Sequence, residues 1–182
     1  MDYRKIKGPF FSGDAEFYQQ VVHWFDDAKF VEIGCFRGRS SVCMAQLIRD
    51  SGKNIKLWCV DAWALPTRRV HGEFMKNIEQ FGDIITPIRA LSVDAAKQFG
   101  DHSLDFVFID ASHDYDSVVA DIEAWRSKVK PGGILAGHDY IGQPGVVRAV
   151  DEIFGDDVCI YEVEGRRSPC DVACWYWTVP GV

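Results

Sequence analysis

Asp61, Asp110 and the adjacent pair His138-Asp139 each close a short, largely apolar run, at residues 55–60, 106–109 and 134–137. Carboxylates and imidazoles in such a position can hold hydroxyl groups and exchange protons. If these runs are strands of an open α/β sheet, the groups at their carboxyl ends stand in the crevice where such sheets bind ligands. If the strands ending at Asp110 and at His138 are neighbours, both groups converge at one edge of the sheet.

A fourth carboxylate, Glu32, lies within the run 30–33 and opens the pattern Glu32-x-Gly34-x-x-x-Gly38-Arg39-Ser40. Glycines here allow positive φ and let the backbone approach a ligand closely. A nicotinamide-binding turn reads Gly-x-Gly-x-x-Gly and aims a helix start at a pyrophosphate; this turn does not. It suits a ligand without phosphate, one with an amino-acid end, a sulfonium and an adenosine. The alternative is an ordinary tight turn between strand and helix.

The elements that must position these groups follow from periodicity. Residues 30–33 read as a buried strand, and the mostly apolar stretch from Val42 to Asp50 as a helix capped by Ser40 or Ser41 and ended before Gly52. A preceding helix over 14–26, with Asp14 as its cap, carries Phe17, Val21, Val22 and Phe25 near helical spacing. Strands follow at 55–61, 84–90, 106–109 and 134–137, with Pro87 favouring an edge position for the third and Lys130-Pro131-Gly132-Gly133 as a turn. Helices are expected at 72–81, 95–99 and 146–154, and one through Val118, Val119, Ile122 and Trp125. The segment 62–72, with Trp63, Pro66, Arg68, Arg69 and His71, is too irregular for a helix and reads either as a lid or as a surface loop. A C-terminal hairpin is expected from strands at 158–163 and 173–179 around a loop at 165–169.

Bulk properties narrow the function. The 182 residues suit one domain with an N-terminal arm over 1–13, and the 47% apolar and 26% charged shares are ordinary for a globular chain. A net charge of −7 with scattered Lys and Arg shows no nucleic-acid footprint, which favours a small, weakly charged substrate. No run reaches membrane-span length and no signal-peptide core follows Met1, so a cytoplasmic protein with no membrane contact is expected. The six cysteines form no Cys-x-x-Cys pair and read as free thiols of a reducing compartment.

The glycine pattern resembles the first motif of class I S-adenosylmethionine-dependent methyltransferases. The pieces Ile109-Asp110-x-x-His113-x-Tyr115, Asp121-Ile122-x-x-Trp125 and Pro131-Gly132-Gly133-x-x-x-Gly137-His138-Asp139-Tyr140 are similar to the methyltransferase domain 24 family. That family is related to macrolide-sugar, cephalosporin-pathway and catechol O-methyltransferases, and the likeness runs from about residue 9 to 155. It implies a Rossmann-like three-layer α/β sandwich on a mostly parallel seven-stranded sheet with an antiparallel C-terminal strand. It also implies a cofactor, S-adenosyl-L-methionine, held by Glu32, Gly34, Cys35, Phe36, Gly38, Ser40, Asp61, Ala62, Ser92 and Asp110. In that reading Asp61 takes the ribose hydroxyls and Ser92 meets the adenine; otherwise Ser92 is a helix cap.

By position the resemblance assigns Asp110, His138 and Asp139 to a divalent metal, magnesium or manganese, although an imidazole at 138 departs from the oxygen ligand of relatives and suits manganese, iron or zinc as well. His113, with Asp110, becomes the catalytic pair, His113 taking the proton of a hydroxyl acceptor; the other reading of both histidines is that they brace loop backbone. The implied acceptor is a small molecule or sugar, and a homo-oligomer is compatible with the sequence. The competing functions are a nicotinamide-dependent oxidoreductase and a non-catalytic cofactor-binding module.

Overall fold

The computed structural model describes residues 2–10, 12–64, 69–161 and 174–181. Runs that are apolar at every position can be satisfied only if both sheet faces are covered, and the strand rich in such residues takes the middle of the sheet. That strand, β4 (Leu104–Ile109), lies between β1 (Asp27–Ile33) and β5 (Val129–Gly137). With β2 (Asn54–Asp61), β3 (Ile85–Arg89), β6 (Cys159–Ile160) and β7 (Trp175–Thr178), they form one sheet in the order β3-β2-β1-β4-β5-β7-β6. Strands β1 to β5 are parallel, and β7 runs antiparallel to both β5 and β6. The expected doubly covered sheet is therefore present, and Pro87 sits on its β3 edge.

Period-two alternation divides the core. Phe30, Phe106 and Phe108 face one layer with Phe17, Val42 and Phe74, from α1 (Ser12–Trp24), α2 (Arg39–Ser51) and α3 (Arg69–Ile78). Val31, Ile33, Val107 and Ile109 face the other layer with Ala95, Trp125 and Val150, from α4 (Ser92–Ala96), α5 (Tyr115–Arg126) and α6 (Pro144–Phe154). No helix among the described residues is long and apolar enough to cross a membrane.

Several boundaries differ from the sequence reading. Helix α2 is entered through Gly38 at φ 81°, with neither Ser40 nor Ser41 as its cap, and it ends at Gly52 as expected. Helix α3 begins at Arg69, inside the segment read as irregular, because Val70, Phe74 and Ile78 share one buried face. The Lys130–Gly133 turn is instead absorbed into β5, with a register shift against β4 between Leu104 and Phe106. Pro66, Arg68, the loop 165–169 and residues 162–163 of the expected 158–163 strand lie outside the described residues, and within 158–161 the strand is the short β6. Cys35, Cys43, Cys59 and Cys174 are free and buried, and Cys159 is free and exposed.

Candidate active site

The β1–α2 turn is the pivot. Gly34 has φ 90°, and a Cβ built there would lie 1.8 Å from the Asp110 carbonyl oxygen. The backbones leaving β1 and β4 therefore touch where only glycine fits. Asp110 N–H donates to Ile33 O at 2.8 Å, and Gly34 N–H to Val60 O at 2.9 Å, so the tips of β2, β1 and β4 are tied together.

Two cavities meet at this point and share Gly34, Phe36, Asp110 and Ala111. The first, of 530 Å³, runs over the tips of β1, β2 and β4 and is lined by Asp61, Ala62, Leu91, Ser92 and Asp121 among others. Asp61 accepts from the amides of Phe36 (2.8 Å) and Trp63 (2.6 Å), which steadies two non-glycine residues of positive φ, 46° and 42°. Each carboxylate oxygen keeps a lone pair for a hydroxyl. Ser92 is the first residue of α4 rather than its cap, and its Oγ accepts from Trp125 Nε1 at 2.9 Å.

The second cavity, of 490 Å³, lies between the β1–α2 turn, the arm residues Lys7–Phe10 and the ends of β4 and β5. Cys35, Ser40, Asp110, His113, His138 and Asp139 line it. Strands β4 and β5 are neighbours, with Ile109 opposite Gly137, which brings Asp110 and the His138-Asp139 pair together. His113 Nε2 is 2.8 Å from Asp139 Oδ2. His138 Nδ1 is 3.3 Å from Asp139 Oδ1, and its Nε2 is 3.1 Å from Asp14 Oδ1.

The cluster is electrostatically tight. Burial pushes the Asp110 carboxyl up to about 7, against the pull of the His138 imidazole. Burial also lowers the His138 imidazole, but hydrogen bonds to Asp139 and Asp14 and the nearby Asp110 charge outweigh it and push it up to about 10. Asp139 is held below the ordinary carboxylate range because His138 overcomes the cost of its burial. Donor atoms of Asp110, His138 and Asp139 lie within 4.8 Å of one another. One ring nitrogen of His138 faces the outer carboxylate of Asp14 while the other faces Asp139, so His138 would join Asp110 and Asp139 around a divalent cation only by giving up its Nδ1 proton, with Asp14 as the outer partner of Nε2–H.

Two expected cofactor residues stand apart from both cavities. Glu32 shares the Phe30 face of β1, so its carboxylate points behind the turn, where Tyr18 Oη donates at 3.1 Å and Ser41 Oγ also donates. Gly38 meets Phe74 of α3, whose ring carbon would lie 2.9 Å from an added Cβ. Both fix the turn from outside the cleft. Asp14, read as a helix cap, is 3% exposed and faces His138 instead. Nothing in the sequence signals that pairing, because it depends on α1 folding back over β5.

Burial raises the Glu32 carboxyl above its ordinary 4.5, and the hydroxyl donors only partly offset this. A raised carboxyl favours the protonated folded form, so its stabilising contribution is complete below 4.5 and is lost as pH rises through the elevated value. Glu32→Gln is expected to flatten that decline while keeping a hydroxyl acceptor. Thermal melts of both proteins between pH 4.5 and 8 check it, and parallel pH profiles would contradict it.

The chain matches the methyltransferase domain family over residues 31–140. It is 30% identical over 148 residues to an uncharacterized protein of Acanthamoeba polyphaga mimivirus, covering 72% of this chain and 61% of that one. Over 125 residues it is 25% identical to an uncharacterized protein of Sinorhizobium fredii, covering 65% of this chain and 14% of the relative. The chain thus spans less than two thirds of either curated relative. Its fold is similar to that of an O-methyltransferase from Bacillus cereus in complex with S-adenosylhomocysteine, with a TM-score of 0.70, 18% identity, and coverage of 92% of this chain and 80% of that one.

Proposed function

The chain belongs to the methyltransferase domain family, and from that premise we propose that it transfers the methyl group of S-adenosyl-L-methionine to a hydroxyl oxygen of a small molecule or sugar. The observation that carries this reading is the meeting of two cavities at Gly34 and Asp110, one lined by Asp61 and Ser92, the other by a cluster of proton acceptors. The adenosine lies in the first, with its ribose hydroxyls on Asp61 and its adenine by Ser92. The sulfonium then sits at the junction, beside the Asp110 carboxylate, and the acceptor enters from the second. The likeness to a Bacillus cereus O-methyltransferase in complex with S-adenosylhomocysteine supports both the cofactor and an oxygen acceptor.

In the reaction the acceptor oxygen attacks the methyl carbon in line, the carbon–sulfur bond breaks, and its electron pair stays on sulfur as the thioether. The hydroxyl proton passes to His113. Asp139 at 2.8 Å accepts from His113 Nε2–H, which leaves Nδ1 as the proton acceptor and steadies the imidazolium that forms. The remaining work is positioning, the larger part of what such a transfer requires. Asp110, His138 and Asp139 would hold a divalent cation, which when bound polarises the acceptor hydroxyl; a nitrogen donor favours manganese over magnesium there.

Calorimetric titration with S-adenosylhomocysteine and with NAD, each with and without manganese or magnesium, tests the reading. Binding of the first and not the second is expected. NAD binding without S-adenosylhomocysteine binding would overturn it and return the glycine turn to a dinucleotide site.

A further inference from the structure

Strands β5 and β7 are antiparallel neighbours, with Gly137 opposite Trp175. The residues just beyond that pair, His138 after β5 and Cys174 before β7, therefore stand side by side at one end of the sheet. The first turn of α1 folds over them and brings in Asp14. Cys174 Sγ is 3.7 Å from Asp14 Oδ1, and His138 Nε2 is 3.1 Å from the same oxygen. Donor atoms of the three residues lie within 4.8 Å of one another, and Asp14 and Cys174 are only 3% and 1% exposed.

These separations suit the donors of one zinc ion. Zinc bonds of about 2.0 Å to nitrogen and oxygen and about 2.3 Å to sulfur place neighbouring donors of a tetrahedron about 3.3 Å (N to O) and about 3.5 Å (O to S) apart. A thiolate with an imidazole and a carboxylate is a set that suits zinc rather than magnesium or calcium. The charges also close: an ionised thiol and carboxylate with a neutral imidazole neutralise a dication, as burial requires. An outer partner is in place too. His138 Nδ1 is 3.3 Å from Asp139 Oδ1, so a proton on Nδ1 donates there and leaves Nε2 for the metal.

We propose that Asp14, His138 and Cys174 form a zinc site that pins α1 and β7 to the end of β5. A water from the second cavity, which Asp14 and His138 also line, completes the tetrahedron. Binding releases the Cys174 thiol proton and one imidazole proton. The site is distinct from the cation site of Asp110, His138 and Asp139, because it uses the other nitrogen of the shared imidazole and the opposite tautomer. A zinc seated here leaves Asp110 and Asp139 to the cation of the reaction. The assignment goes beyond the methyltransferase reading and stands without it.

The test titrates the metal-free chain with cobalt(II), whose bond to a thiolate gives a near-ultraviolet charge-transfer band, and then displaces the cobalt with zinc. The wild-type chain is compared with Cys174→Ser, Asp14→Asn and Asp110→Asn. One equivalent of cobalt is expected to produce the band in the wild type, and Cys174→Ser to abolish it. Zinc affinity is expected to fall at least about 10- to 100-fold in Cys174→Ser and in Asp14→Asn, and to stay within about threefold in Asp110→Asn. A band that survives in Cys174→Ser would place the metal on other thiols, such as Cys35 and Cys59, and overturn the assignment. A loss of zinc in Asp110→Asn as large as in Asp14→Asn would overturn it by moving the metal to the cluster around Asp110. A wild-type chain without the band would leave Asp14 and His138 as an ion pair beside a buried thiol, with no zinc site. Should Cys174→Ser fail to fold, unchanged zinc affinity in Asp14→Asn overturns the assignment equally.

Discussion

Gly34→Ala is expected to lower stability by about 3–5 kcal/mol, which for a chain of this size moves the thermal midpoint down by about 10 °C. Two costs add. The residue holds φ 90°, a conformation that an alanine adopts only with strain, and its Cβ would stand 1.8 Å from the Asp110 carbonyl oxygen and 2.5 Å from the carbonyl carbon. Those atoms are backbone and cannot rotate aside, so β4 must retreat from β1. Because Asp110 N–H is bonded to Ile33 O at 2.8 Å, the retreat also breaks the link that places the carboxylate at the cavity junction. Loss of S-adenosylhomocysteine binding should therefore accompany the loss of stability, even well below the new midpoint. A differential scanning trace within about 2 °C of the wild type, with unchanged affinity, would show that the two strand tips are not held as described.

Asp110→Asn should separate chemistry from binding. The side chain keeps its shape and its place between the cavities, but the negative charge at the positions proposed for the sulfonium and the cation is gone. The rate of methyl transfer, followed as S-adenosylhomocysteine release, is expected to fall about 10²- to 10⁴-fold. The affinity for S-adenosylhomocysteine, which carries no sulfonium charge, is expected to move by less than about tenfold. Stability should not fall, since burial already disfavours the ionised form and raises this carboxyl to about 7. A variant with near-normal turnover would remove Asp110 from the reaction and leave it a structural residue.

Much of the molecule was legible along the chain. The fully apolar run ending at Asp110 implied a central parallel strand, and β4 is central. Pro87 implied an edge, and β3 is the edge, because a proline has no N–H for a second neighbour. The carboxylates at strand ends were recognisable as cleft residues, and Asp61, Asp110 and Asp139 all line the cavities. The direction of the Glu32 side chain was not legible, because adjacency to the glycine turn says nothing about which face a side chain takes. One residue along a strand reverses the face, and Glu32 shares its face with Phe30.

What the sequence by itself determined is the order of elements, the turn that only glycine can make, and the chemical character of the groups at each strand tip, since these depend on local backbone preference and hydrophobic period. Tertiary structure alone decided which of those groups meet. Asp14 reaches His138 at 3.1 Å and Cys174 at 3.7 Å across the fold, and Asp139 takes φ 63° between two imidazoles. These are contacts between residues far apart in the chain or dependent on packed neighbours. They arise from strand order and from layers closing over one another, and no local propensity encodes them.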